Sequence, residues 1–84
     1  MRRKHAKTLT RIFAHPTPAN IRWSDVEALF IDLGAKVIER EGSRIAVVLF
    51  NQVQVFHRPH SSPDTDKGAV ASIRKWLESN GVKP

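Results

Sequence analysis

The chain has no cysteine, which excludes a disulfide framework, a Cys-rich zinc site and a thiol nucleophile together. Its longest apolar run, Ile45 to Phe50, is six residues, against the roughly 20 that a membrane-spanning helix needs. No apolar stretch follows the basic N-terminus as a secretory signal requires. The expectation is therefore a soluble, cytoplasmic protein with no membrane partner. G-x-G-x-x-G, the P-loop and the G-x-S-x-G elbow are all missing, so nucleotide-cofactor binding and acyl-enzyme hydrolysis have no support and no cofactor is expected. Internal repeats and low-complexity tracts are absent too. With 84 residues, the chain has room for one small core and none for a second lobe with a cleft between lobes.

Acidic residues are absent from positions 1–22, which carry Arg2, Arg3, Lys4, Lys7, Arg11 and Arg22, whereas 23–84 hold eight bases and eight acids. The whole net charge of +6 therefore sits at the N-terminus. Such an arm neutralises phosphates and draws in a polyanion, with binding that weakens as salt rises. The same pattern also fits a solvated helix face.

Helical periodicity runs from Lys4 to Ala14, with Leu9, Ile12 and Phe13 on one side, and the prolines at 16 and 18 prevent its continuation. Residues 1–22 thus read as a basic helix followed by a proline-containing connector. Ser24-Asp25-Val26-Glu27 fits a capping box opening a helix over 24–33, with Val26, Leu29, Phe30 and Leu33 as its apolar stripe and Gly34 as its stop. Lys36–Arg40, Ser43–Phe50 and Val53–His57 follow as strands, separated by turns at Glu41-Gly42 and Asn51-Gln52. A polar loop from Arg58 to Asp66 leads to a last helix over 67–80, capped by Thr65 or Asp66, carrying Val70, Ile73 and Leu77, and ended by Gly81. The order α-α-β-β-β-α predicts an α+β two-layer sandwich, a three-stranded antiparallel sheet with helices on one face. The other sheet face is expected to be the more polar one.

The densest group of reactive side chains is Phe56-His57-Arg58-Pro59-His60. Strict alternation puts His57 with Val53 and Val55, and Arg58 with Gln54 and Phe56. His57 then reads either as a satisfied histidine at the core margin or as a proton-transfer group. His60, beyond the strand, reads as a loop histidine. His57-x-x-His60 with Asp64, and His5 and His15 besides, could supply metal ligands, but the pair lies on no evident helix and no cysteine assists, so no metal site is predicted. Gly42-Ser43 reads as a hairpin turn.

The element order, Gly42-Ser43-Arg44, the His60 loop, and Lys67-Gly68 leading to Gly81-Val82 together resemble the HicA toxins of HicA/HicB pairs, over about residues 24–82. The resemblance makes 23–84 a HicA-like α-β-β-β-α domain and implies a double-stranded-RNA-binding-domain-like fold. It also implies metal-independent endoribonuclease activity on mRNA, and a HicB-like antitoxin partner through which alone DNA would be met. The family places a histidine held responsible for cleavage where Arg44 stands. Arg44 carries a phosphate-binding fork and cannot be a neutral-pH base. His60, which aligns with the family's loop histidine, is thus the first-choice acid–base residue and His57 the second. Arg44, Arg58, Lys67 and the arm residues Arg2, Arg3, Lys4, Lys7 and Arg11 are the candidate RNA contacts. A non-catalytic RNA-binding module of the same fold is the alternative, and an interaction protein with the antitoxin or DNA as its only partner is a third.

Overall fold

Two glycines set the lengths of two helices. In the computed structural model, which describes residues 1–84, Gly34 has φ 100° and Gly81 φ 80°. At the first, the Gly34 amide donates to the Ile31 carbonyl and Ala35 to Phe30; at the second, Gly81 donates to Glu78 and Val82 to Leu77. Both are Schellman ends, in which the left-handed residue lets two amides reach otherwise orphaned carbonyls. The elements are α1 (Arg3–Ile12), α2 (Trp23–Asp32), β1 (Lys36–Glu39), β2 (Arg44–Leu49), β3 (Gln52–His57) and α3 (Lys67–Ser79). The α+β order α-α-β-β-β-α is the expected one. Asp66 caps α3, its Oδ1 accepting from the Ala69 amide at 2.9 Å.

The sheet is antiparallel in the order β1-β2-β3. Phe50 and Asn51, both at φ 57°, form the two-residue turn between β2 and β3, so Leu49 pairs directly with Gln52. Both φ values are those of a type I′ hairpin. Asn tolerates them readily; Phe50 is held there by packing its ring edge-on against Trp76, with centroids 5.6 Å apart. The turn thus falls one residue earlier than Asn51-Gln52, and Gln52 joins the strand. There its Oε1 accepts from Trp76 Nε1 at 2.6 Å and its Nε2 donates to Asn80 at 3.1 Å, tying the start of β3 to the end of α3.

One core of 15 buried residues joins every layer. Ile45, Val47 and Leu49 of β2 and Phe56 of β3 face α2 and α3, where Phe30 meets Phe56 and Trp76 with ring centroids 5.8 Å apart in each case. Helix α1 adds Leu9 and Ile12 from the far side of α2 and α3. Its exit is strapped down by Arg74, which donates to the carbonyls of Ile12 and Ala14 and to Thr17 Oγ1.

The capping box does not form. Helix α2 starts at Trp23 with Arg22 at the cap position and no side-chain cap. Arg22 instead bridges to Asp64, with Trp23 N–H donating to Pro63 and Thr65 N–H to Ile21. That two-sided bridge fixes the helix start from outside and leaves Ser24 within the first turn. The open sheet face is mixed rather than uniformly polar: Ile38, Val53 and Val55 are exposed on it beside Lys36, Arg44 and His57. His57 shares that face and is exposed, so it is no core-margin histidine; the phase of β3 is set by burial of Phe56.

Candidate active site

The hairpin joining β1 to β2 turns at Gly42, whose φ of 68° is left-handed and suits a residue without Cβ. This turn delivers Ser43 and Arg44 to the start of β2. Ser43 Oγ lies 2.6 Å from His60 Nε2, a hydrogen bond across 17 positions. The Ser43 carbonyl accepts from the Arg58 amide at 2.8 Å, which holds the beginning of the His60 loop against the same turn. His60 makes no other hydrogen bond within the protein, so its Nδ1 is open to solvent or a ligand.

Arg44 stands opposite His57 in the β2–β3 register. Its Nε donates to the Glu41 carbonyl at 3.3 Å, which orients the side chain while the two terminal nitrogens stay unengaged. A planar fork so placed can take two oxygens of a phosphate. Arg44, His57 and His60 are all exposed and gather at one end of the sheet. Beside them a cleft of about 510 Å³ runs between β3 and the start of α3, lined by His57, His60, Asp64 and Gly68 among others. Lys67 is exposed at the head of α3 but lies outside the lining.

Arg58 is committed elsewhere. Its Nε and Nη2 bond the two Glu27 carboxylate oxygens at 2.8 and 3.0 Å, and Nη1 bonds Glu39 at 2.7 Å. It therefore ties the end of β3 to α2 and β1. The Arg58 hydrogen bonds hold the Glu27 carboxyl below its ordinary range; desolvation opposes this, and a bond from Trp23 Nε1 adds to it. Reciprocally, Glu27 and then Glu39 push the Arg58 guanidinium to still higher pKa. Such a pair holds the loop's root in place before His60 begins.

The arm residues are not gathered at this site. Helix α1 packs on α2 and α3, and those helices cover the face of the sheet opposite to Arg44. Arg2, Arg3 and Lys7 are exposed there; Lys4 pairs with Asp25 at 3.8 Å and Arg11 donates to Asn20. His57, His60 and Asp64 do not converge into a group of three able to hold a metal ion. Ser43 is the participant that local sequence reasoning left as a plain turn residue: no short spacing connects it with His60, and only the closure of the sheet brings them together.

No curated protein and no solved structure matches the chain. No helix is long and apolar enough to cross a membrane. A family model described as the HicA toxin of bacterial toxin–antitoxin systems matches residues 23–82, from the first residue of α2 to the residue after Gly81. On that match the chain belongs to the HicA toxin family.

Proposed function

We propose that this toxin is a metal-independent endoribonuclease acting on mRNA and neutralised by a HicB-like antitoxin. The observation that carries the proposal is the Ser43–His60 hydrogen bond at 2.6 Å, on the turn that also bears Arg44. Metal-free cleavage of RNA requires a base for the 2′-hydroxyl, an acid for the leaving 5′-oxygen and a cation for the phosphate. The Arg44 fork supplies the cation; a guanidinium stays protonated at neutral pH and so supplies no base. His60 takes the first proton-transfer role: Ser43 fixes its Nε2 side, and Nδ1 faces outward for exchange with the substrate. His57, across the ladder from Arg44, takes the second.

In this reading Arg58 is a positioning residue, since all three of its side-chain nitrogens already bond carboxylates. Lys67 and the exposed bases of α1, Arg2, Arg3 and Lys7 foremost, act at longer range by raising the local concentration of RNA. Lys4 and Arg11 contribute charge in the same way while held to Asp25 and Asn20.

The experiment is incubation of the partner-free chain with a long single-stranded RNA in EDTA, with His60→Ala alongside and analysis of product ends. Cleavage giving cyclic-phosphate ends, lost in His60→Ala, is the expected result. RNA binding by a folded chain with no cleavage would support the other reading, a non-catalytic RNA-binding module. One observation favours that module: the family's histidine position holds Arg44.

A further inference from the structure

The cleft between β3 and the start of α3 is walled by hydrogen-bonding groups that the fold leaves unengaged. Its volume of about 510 Å³ lies within the roughly 300–1,000 Å³ of small-molecule sites. Strand β3 pairs with β2 alone, so its other edge is free. The Arg58 amide donates to the Ser43 carbonyl, and bonding alternates along an antiparallel ladder. Phe56 and Gln54 therefore bond toward β2, whereas Val55 and His57 turn their amides and carbonyls to the free edge. Both of these residues line the cleft.

Asp64 lines it too. Although the chain has 14 Lys and Arg against 8 Asp and Glu, the Asp64 carboxylate joins no ion pair, and only its backbone amide is bonded locally, to Ser62 Oγ. Asp66 is engaged in capping α3. Between them Thr65, another lining residue, is 2% exposed and its Oγ1 has no partner, a costly state for a buried hydroxyl. Trp23, Phe56 and Pro59 add apolar surface to the same wall.

We propose that this cleft binds a base of the RNA, and that the base is guanine. The proposal rests on the RNA-cleaving reading given above and deepens it by naming what the site selects. Asp64 and Asp66 repel a phosphate, so the strand's backbone stays with Arg44, which lies outside the lining, and an uncharged ring enters. A carboxylate only accepts, through two oxygens. Guanine alone presents two adjacent donors, N1–H and the N2 amine, on one edge. Adenine and cytosine set an amine beside a bare ring nitrogen, and uracil flanks its N3–H with carbonyls. Asp64 takes the two guanine donors as a fork, an edge amide of Val55 or His57 donates to O6, and Thr65 Oγ1 gains a partner. A peptide laid along the edge would use the backbone groups; the free Asp64 and Thr65 oxygens favour the base. His57 and His60 line the same cleft, so the bound guanine sits beside the scissile phosphate and sets where the strand is cut.

The test is binding of a labelled short oligouridine carrying one central guanosine, adenosine, cytidine or inosine to the partner-free chain at one salt concentration. Wild type, Asp64→Asn and Thr65→Val are compared. Inosine keeps N1–H and O6 and lacks only the N2 amine. Wild type is expected to bind the guanosine strand at least about tenfold more tightly than the adenosine and cytidine strands, with inosine between. Asp64→Asn should bring all the strands within about twofold of one another. Its binding of plain oligouridine should be no weaker than that of wild type, since a negative charge has been removed. The Arg22–Asp64 bridge is a backbone contact and survives the change. Thr65→Val should weaken the guanosine strand alone, about two- to fivefold, and melt no lower than wild type, because the hydroxyl has no partner in the protein to lose.

Equal binding of every strand by wild type, or a guanosine preference that persists in Asp64→Asn, would overturn the base pocket; cleavage in EDTA would still leave the ribonuclease reading standing. Uniform weakening of all strands by Asp64→Asn would make the residue structural and overturn the pocket as well. A guanosine preference without cleavage would keep the pocket and remove the nuclease. A folded chain that binds none of the strands removes both.

Discussion

Ser43 Oγ and His60 Nε2 meet at 2.6 Å, and the bond holds one side of an otherwise unattached imidazole. Ser43→Ala should therefore leave stability unchanged within about 0.5 kcal/mol, since the pair is near the surface. It should lower kcat for RNA cleavage about three- to tenfold, the worth of one neutral hydrogen bond of about 0.5–1.5 kcal/mol. KM should not move. Single-turnover cleavage by wild type, Ser43→Ala and His60→Ala checks this; a raised KM at constant kcat would make Ser43 a binding residue instead.

Arg58 joins three elements through Glu27 and Glu39. Arg58→Ala should cost about 1.5–3 kcal/mol in urea unfolding, the loss of charge-assisted bonds to a half-buried carboxylate. The His60 loop, rooted at the Arg58 amide, should become more mobile at the same time. A variant as stable as wild type would make the triad a surface pair of little energetic consequence.

Glu27 gives the domain an acid dependence. Its carboxyl is held below the ordinary value of 4.5 in the folded state, chiefly by the Arg58 bonds. The unfolded chain thus binds more protons in that region, and stability rises with pH there. The contribution is complete above about 4.5 and is lost as pH falls through the lower folded value. Urea unfolding of wild type and Glu27→Gln from pH 7 to pH 3 should give a constant difference above about pH 5 that shrinks on further acidification. A difference independent of pH throughout would contradict the assignment.

Leu29 is fully buried in the middle of α2. Leu29→Asp places an unpaired charge in the core at a cost of several kcal/mol, enough to unfold a domain of this size. Circular dichroism melting checks it, and an unchanged transition would mean that α2 is wrongly packed.

Arg74 carries the exit of α1, bonding Ile12, Ala14 and Thr17. Arg74→Ala should leave two carbonyls short of a partner and cost about 1–3 kcal/mol. Proteolysis should then cut first within 13–20. Cutting elsewhere would show that Leu9 and Ile12 anchor α1 without help from the strap.

Much of the backbone plan was legible because it depends on neighbours in the chain. Gly34 and Gly81 end their helices, Asp66 caps α3, and the three strands alternate with turns as their residues require. The stripes of α2 and α3 name core residues correctly apart from Leu33, which is only partly buried against the core. All of these are interactions within one or two turns of the chain, where spacing and conformation are one fact.

What the tertiary structure decided lies at longer range. Ser24 and Glu27 have the spacing of a capping box, yet Arg58, 31 positions away, competes for Glu27 with charge and two bonds, and the Asp64 bridge resets the helix start. Period-two alternation in β3 sorts residues into two sets without saying which set is inside; Phe56 against Phe30 and Trp23 settles it, and His57 and the valines turn outward. Local order thus followed from the sequence by itself, whereas the partners of Glu27, Arg58 and His60 and the mixed open face required closure of the sheet, because distant side chains compete for the same groups only once the chain is folded.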